Sequence, residues 1–330
     1  MNNIAKLSLQ ERQELFLETA KMMNTTSAII EKDFWVVWIL DKIFSDEKLN
    51  KILMFKGGTS LSKVFNLIGR FSEDIDLILD WNIVTNDNPN EKRSKTKQDK
   101  YNKEVNERAK AYIRDELLPL ISELVAPFCR CVVDENDEFN INVLYPTTFD
   151  DKYLRPEILL EIGPLASWLP YNNFEIISYT AEYFPKHFKK AKTNVNAIVA
   201  SRTFWEKATI LHQEVNRSAE KPLPIRYSRH YYDLAIMAKS NVKNEALEDI
   251  ELLDKVIDFK NKFYPASWAR FDEARPKTLK LVPPEYRLKA LEKDYKSMEH
   301  MIFDKKLTFE EIVKILQELE GEVNSMLVPS

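Results

Sequence analysis

The chain has 330 residues, 44% of them hydrophobic and 11% aromatic, which is ample for packed cores in two domains of ordinary size and excludes a disordered protein. A formal charge of −4 excludes a globally basic nucleic-acid binder, so a nucleic-acid partner would have to be held by a local patch. The start MNNIAKLSLQERQELF lacks a signal-peptide pattern and no apolar run approaches the roughly 20 residues of a membrane span, so a soluble, cytoplasmic protein is expected.

Ser8-Leu-Gln-Glu11 reads as a capping box opening a helix to about Met23, with Leu15, Phe16 and Ala20 on its buried face. SAIIEKDFWVVWILDKIF predicts a second helix, and its apolar density from Phe34 to Leu40 requires cover around most of its circumference. Within it, Glu31 and Lys32 read as a helix-surface pair, or as residues closing the N-terminal side of a site. LMFKG follows as a short buried strand, TSLSKVFNLI as a helix with Leu61, Val64, Phe65 and Ile68 at helical spacing, and IDLIL as another buried strand.

Residues 82–102 have no apolar period and read as an exposed, mobile loop in which Lys92, Arg93, Lys95 and Lys97 are solvated charges. A long helix is expected from about Lys103 to Leu124. FCRCVVDE and FNINVLYP are alternating strands around an acidic turn, EILLEIG is a third and FEIISY adds one more. The two cysteines, Cys129 and Cys131, read as strand residues with free thiols, poorly placed to bridge each other. Beyond about residue 195 the pattern turns helical through ASRTFWEKATILHQEV, RHYYDLAIMAKS, EALEDIELLDKVIDFKNKFY, PEYRLKALEKDYKSMEHM and TFEEIVKILQELEGEVNSML. The expected class is α+β: a domain with a mixed sheet and N-terminal helices over 1–195, then a mainly helical domain over 196–330.

The chemistry concentrates between Phe55 and Leu79, which hold three of the five glycines. In SEDIDL the strand period of two places Asp74 and Asp76 on one face while Ile75 and Leu77 face the core. Carboxylates so close repel unless a cation lies between them, and hard oxygen donors at this spacing suit Mg²⁺. A solvated strand edge or a Ca²⁺ site is the bland alternative. Gly57-Gly58, between strand and helix, allow a tight turn and a close approach of backbone N–H groups to phosphate, with Thr59 and Ser60 as hydroxyl donors. KGGTSLSK lacks P-loop spacing, which disfavours a Walker-type ATPase.

Glycine turn, helix and DxD strand in this order resemble the signature of polymerase-β-like nucleotidyltransferases. More narrowly, KGGTSLSK with RFSEDIDL looks like the motif of the AbiEii/AbiGii toxin family, nucleotidyltransferase-like proteins of bacterial type IV toxin–antitoxin systems. EKDFWVVWIL at 31–40 is similar to that family's N-terminal element, and TFWEKATILHQE with RYSRHYYDLAIM is similar to its downstream lysine and arginine–aspartate motifs. The region from 245 on rests on helical periodicity alone.

The resemblance implies a polymerase-β-like fold and a Mg²⁺-dependent (or Mn²⁺-dependent) enzyme that moves a nucleoside monophosphate from an NTP to an acceptor hydroxyl. Asp74, Asp76 and Glu161 are then the metal set, Glu161 being the one charge inside an apolar strand core. Lys56, Gly57, Gly58, Thr59, Ser60 and Ser72 would lie along the nucleotide, Lys207 would reach the triphosphate, and Arg229 and Asp233, four apart on one helix face, would join the site. An internal Arg–Asp pair is the alternative for the last two, and His230 beside them reads as a packing residue. The resemblance further implies a toxin with a partner antitoxin and RNA as acceptor, such as the tRNA 3′ end, for which PKHFKKAK at 185–192, RTFWEK and IRYSRHYY offer cations interleaved with aromatics. A protein acceptor is a second reading of the same motifs. A nucleotide-binding interaction protein without transfer activity is a third.

Overall fold

The computed structural model describes residues 1–151, 154–165, 169–303 and 306–326. Its chain forms two compact units: Met1–Phe65 with Phe71–Ile198, and Asn66–Arg70 with the residues from Val199 on. Where the sequence suggested a break at 195/196, the units divide at 198/199, and five residues from between the glycine turn and the DxD segment belong with the second unit.

Helix α1, Leu9–Met23, opens on the capping box: Ser8 N–H donates to Glu11 Oε2 at 2.9 Å and Glu11 N–H to Ser8 Oγ at 3.3 Å. It ends at Asn24, whose left-handed φ of 53° stops the helix. Helix α2, Ser27–Ser45, is buried on almost every side, with Trp35 and Trp38 edge to face at 5.3 Å and Phe128 against Trp38 at 5.9 Å. That cover extends to Glu31, Lys32 and Asp33, all three fully buried, which corrects the reading of Glu31 and Lys32 as a helix-surface pair.

Seven strands form one mixed sheet: β1 Leu53–Lys56, β2 Ile75–Leu79, β3 Arg130–Val133, β4 Asn140–Leu144, β5 Glu157–Gly163, β6 Tyr171–Ile177 and β7 Lys192–Ile198. Their spatial order is β3-β4-β5-β2-β1-β7-β6. β2 lies antiparallel to β1 and parallel to β5, and β1 is parallel to β7. The central β1 and β2 are almost wholly buried (Leu53, Met54, Phe55, Ile75, Leu77, Ile78, Leu79), as the apolar runs LMF and IDLIL require.

Three elements differ from expectation for local reasons. The helix after the glycines, α3 (Gly57–Lys63), stops short of Ile68 because Asn66 takes a left-handed φ of 47° and the chain leaves for the second unit. The supposed loop already becomes helix α4 at Lys95, running to Tyr112 and on through Val125. Its first inward positions are polar, and Gln98 Nε2 donates to Asn102 Oδ1 at 2.8 Å, so the helical face is hidden from an apolar count. β7 was unforeseen because its outward positions, Asn194 and Asn196, are poor strand formers, although they alternate with the buried Thr193, Val195 and Ala197; Asn173 on the paired strand donates to Asn196 at 3.0 Å.

The second unit is helical: α5 Ala200–Val215, α6 Ser228–Ala238, α7 Asn241–Glu248, α8 Ile250–Phe263, α9 Glu285–Met298 and α10 Phe309–Ser325. The last expected helical residue, Leu327, lies outside the described residues. Among the described residues, no helix is long and apolar enough to cross a membrane.

Candidate active site

Register does most of the assembly. Lys56 on β1 pairs with Asp76 on β2, Asp76 pairs with Glu161 on β5, and Glu161 pairs with Asn140 on β4. Directly opposed residues share a sheet face with their Cβ atoms about 5 Å apart, so Lys56, Asp76, Glu161 and Asn140 form one row across four strands. The lead-in to β2 alternates in the same sense: Phe71, Glu73, Ile75 and Leu77 are buried while Ser72, Asp74 and Asp76 are half-buried. One face of this segment therefore presents Ser72, Asp74 and Asp76 together.

The glycine turn meets that row. Gly57 has φ +81°, the left-handed region that a side chain rarely adopts, and a Cβ placed on it would fall 1.9 Å from Asp76 Oδ2 and 2.5 Å from its Cγ. The Asp76 carboxylate thus occupies the space that any other residue at 57 would fill. Thr59 Oγ1 donates to the Asp74 carbonyl, and Ser60 Oγ donates to the Gly57 carbonyl at 2.9 Å. Both side chains are buried, so the hydroxyls expected to face phosphate are instead internal ties that shape the turn and fix it to the DxD segment. Ser60→Ala is expected to lower the free energy of unfolding by about 1 kcal/mol, measured by urea titration.

Asp74 and Asp76 offer the number of hard oxygen ligands that Mg²⁺ takes from a protein while keeping water and phosphate oxygens, so the residues fit such an ion. The three-carboxylate set read from the sequence is not assembled: among the described residues, no three His, Cys, Asp or Glu side chains are gathered closely enough to hold a metal ion. Like charges at ligand distance repel, and Asp74, Asp76 and Glu161 share a face without converging on one point.

The second unit holds the remaining candidates. Both Asp233 oxygens are engaged: Arg70 donates through Nε at 2.7 Å and a terminal nitrogen at 2.8 Å, and Lys207 Nζ lies 2.8 Å from Oδ2. Burial opposes the charge on Asp233, but Arg70 and Lys207 outweigh it and hold the carboxyl well below its ordinary range. Burial also lowers the pKa of Lys207; Asp233 counters this, while Arg70 and Arg229 reinforce it. Arg229 and His230 stand beside the group on α6, and burial, with the neighbouring Lys207 and Arg229, pushes the His230 pKa well below its ordinary value. Its Nδ1 is buried without a hydrogen-bond partner, and its ring packs on Tyr227 at 4.8 Å.

Residues beyond 245 support this cluster. Asp294 on α9 accepts from Ser228 N–H at 2.9 Å, Ser228 Oγ at 2.6 Å and Arg226 N–H at 2.8 Å, which fixes the start of the helix carrying Asp233. Ile302 bridges to Arg70, and Phe303 N–H donates to the Gly69 carbonyl at 2.8 Å. Sequence reasoning missed Arg70; the one signal for it was a charge set between apolar residues in LIGRF. The basic strip at 185–192 is partly neutralised, with Lys190 paired to Asp41 at 2.5 Å and Lys192 to Glu175 at 2.6 Å.

Asp76 and Glu161, side by side in a mixed sheet and beside a glycine turn that leaves no room for a side chain, form the candidate active site. The chain belongs to the AbiEii family, described as nucleotidyl transferase AbiEii toxins of type IV toxin–antitoxin systems, whose sequence model matches residues 38–315. Among solved structures, it is similar to MenT4, a nucleotidyltransferase toxin from Mycobacterium tuberculosis H37Rv, at 15% identity and TM-score 0.44 over 94% of this chain and 99% of that one. It is also similar to JHP933 from Helicobacter pylori, at 14% identity and TM-score 0.37 over 89% of this chain and 91% of that one. No curated protein sequence matches the chain.

Proposed function

We propose that this chain transfers a nucleoside monophosphate from an NTP to an RNA hydroxyl, such as the 3′ end of tRNA, and releases pyrophosphate. The observation that carries the reading is the row Lys56–Asp76–Glu161 seated against Gly57. Asp74 and Asp76 would hold Mg²⁺, which when bound supplies charge neutralisation on the phosphates. Lys56, opposite Asp76 in register, would meet phosphate as a point charge, and the side-chain-free turn at Gly57-Gly58 would admit phosphate oxygens to the backbone. Glu161, next to Asp76 in register, is the base that takes the proton of the attacking hydroxyl. Ser72 shares the Asp74–Asp76 face and orients those carboxylates.

In the second unit, Arg70 and Lys207 close on Asp233 with Arg229 nearby, and we assign these cations to attracting phosphate. Asp233 holds Arg70 and Lys207 in place. Membership of a type IV toxin family supports a cytoplasmic toxin that an antitoxin restrains.

The test is expression of the wild-type chain and of Asp76→Ala in cells, followed by sequencing of tRNA 3′ ends. Added nucleotides with the wild type alone are expected. Toxicity with unchanged tRNA ends would remove the tRNA acceptor, and label from an NTP recovered in protein would replace it with the protein reading.

A further inference from the structure

The consecutive charges Glu31, Lys32 and Asp33 lie in the first turns of α2, each fully buried. Successive helical residues point about 100° apart, so the three side chains reach three different parts of the first unit. Glu31 accepts from Thr148 N–H at 2.9 Å, Thr148 Oγ1 at 2.6 Å and Phe149 N–H at 3.2 Å, in the segment that leads to β5. Lys32 Nζ donates to Glu73 Oε2 at 2.6 Å and to the Arg155 carbonyl at 2.8 Å, and Arg155 N–H returns to the same Glu73 oxygen at 3.1 Å. Asp33 pairs with Lys63, the last residue of α3, and accepts from Tyr179 N–H at 2.7 Å.

The destinations are not arbitrary. Glu73 immediately precedes Asp74, Arg155 lies two residues before β5 and its Glu161, and Lys63 closes the short helix that begins at Gly57. We propose that Glu31, Lys32 and Asp33 are positioning residues for nucleotidyl transfer: one stretch of α2 that holds the glycine turn, the DxD carboxylates and Glu161 in a fixed mutual placement. This rests on the reading of the row as the transfer site.

Stability alone does not account for the arrangement. A buried ion pair is matched or bettered in stability by apolar residues of similar volume, because desolvation consumes most of the Coulombic gain. What the charged groups add is direction. Each ends on defined hydrogen bonds to backbone or carboxylate, and Lys32 in particular joins the entries of two neighbouring strands through one ammonium group. A small sliding of β2 against β5 would separate Asp76 from Glu161, and a displacement of about 1 Å at a reacting group can cost about a hundredfold in rate.

The experiment compares the full chain with Lys32→Met and with Lys32→Met/Glu73→Leu, by urea unfolding, steady-state transfer from labelled NTP, and hydrogen exchange. Lys32→Met takes the counter-charge from the buried Glu73 carboxylate and is expected to be less stable than wild type, while the double variant removes both charges and regains that stability. Positioning predicts that the restored double variant still transfers about a hundredfold more slowly, with the KM for NTP changed less than about threefold. Recovery of wild-type kcat together with stability would overturn the proposal. Should the wild type transfer nothing to any acceptor, the functional reading fails, and hydrogen exchange decides positioning separately. Faster exchange of the Ile75–Leu79 and Glu157–Gly163 amides in the double variant at equal stability supports it; unchanged exchange refutes it.

Discussion

Gly57→Ala is expected to lower NMP transfer by about a hundredfold or more while leaving most of the fold in place. Two effects act together. The φ of +81° at Gly57 costs an L-residue about 1–2 kcal/mol, and the added methyl would lie 1.9 Å from Asp76 Oδ2. Neither partner has an easy retreat, because Asp76 lies between Lys56 and Glu161 in the sheet register and the turn is tied to the Asp74 carbonyl through Thr59. The carboxylate must rotate away or the turn must open, and either result separates the phosphate-approach backbone from the candidate metal ligands. Single-turnover transfer with pure protein, alongside its thermal unfolding, checks this: a stable Gly57→Ala variant with wild-type turnover would mean that the contact with Asp76 is irrelevant to the reaction.

Asp233→Asn carries the largest expected loss of stability, about 3–5 kcal/mol, because it leaves Arg70 and Lys207 buried without their counter-charge. The loss is read from urea unfolding near neutral pH. In the wild type the same carboxylate sets an acid limb. Its folded pKa lies below the ordinary 3.8, so the unfolded chain takes up the proton first as pH falls. The stabilisation from Asp233 is therefore complete above about pH 4 and drains away below it. In Asp233→Asn that contribution to the acid limb is absent, so stability should fall less steeply between about pH 4 and 2.

The sequence was most informative where backbone chemistry is local. The capping box at Ser8 and Glu11, the glycine turn, the period-two placement of Asp74 and Asp76, and the apolar strands around them all depend on neighbours within a few residues. Strand order and register are long-range, and only they show that Asp76 faces Glu161 and Lys56 rather than other residues on the sheet. The polar face of α4 was misread because its inward Gln98 and Asn102 leave no apolar period, and the asparagines of β7 because Asn173, the partner of Asn196, lies on another strand. Buried charge was the hardest to see. Glu31, Lys32, Asp33 and Arg70 look like surface residues by type, and each is held inside by partners tens of residues or more away along the chain. Asp233, expected to pair with Arg229 if it was structural, takes its bidentate partner from Arg70 instead.

These observations divide the work between side chains by chemistry. The first unit supplies the acidic row and the turn that approaches it. The hydroxyls of Thr59 and Ser60 belong to the architecture of that turn, bonded to the Asp74 and Gly57 carbonyls. The second unit gathers cations around Asp233, and its C-terminal part fixes that group through Asp294 on α9 and through Ile302 and Phe303 beyond it.

The most direct measurement is transfer of label from an NTP by purified wild type and Asp76→Asn, each shown to unfold at the same urea concentration, with RNA and protein recovered separately. The site described predicts labelled acceptor and released pyrophosphate with the wild type and a loss of at least about a thousandfold with Asp76→Asn. Equal labelling by the two proteins would contradict it.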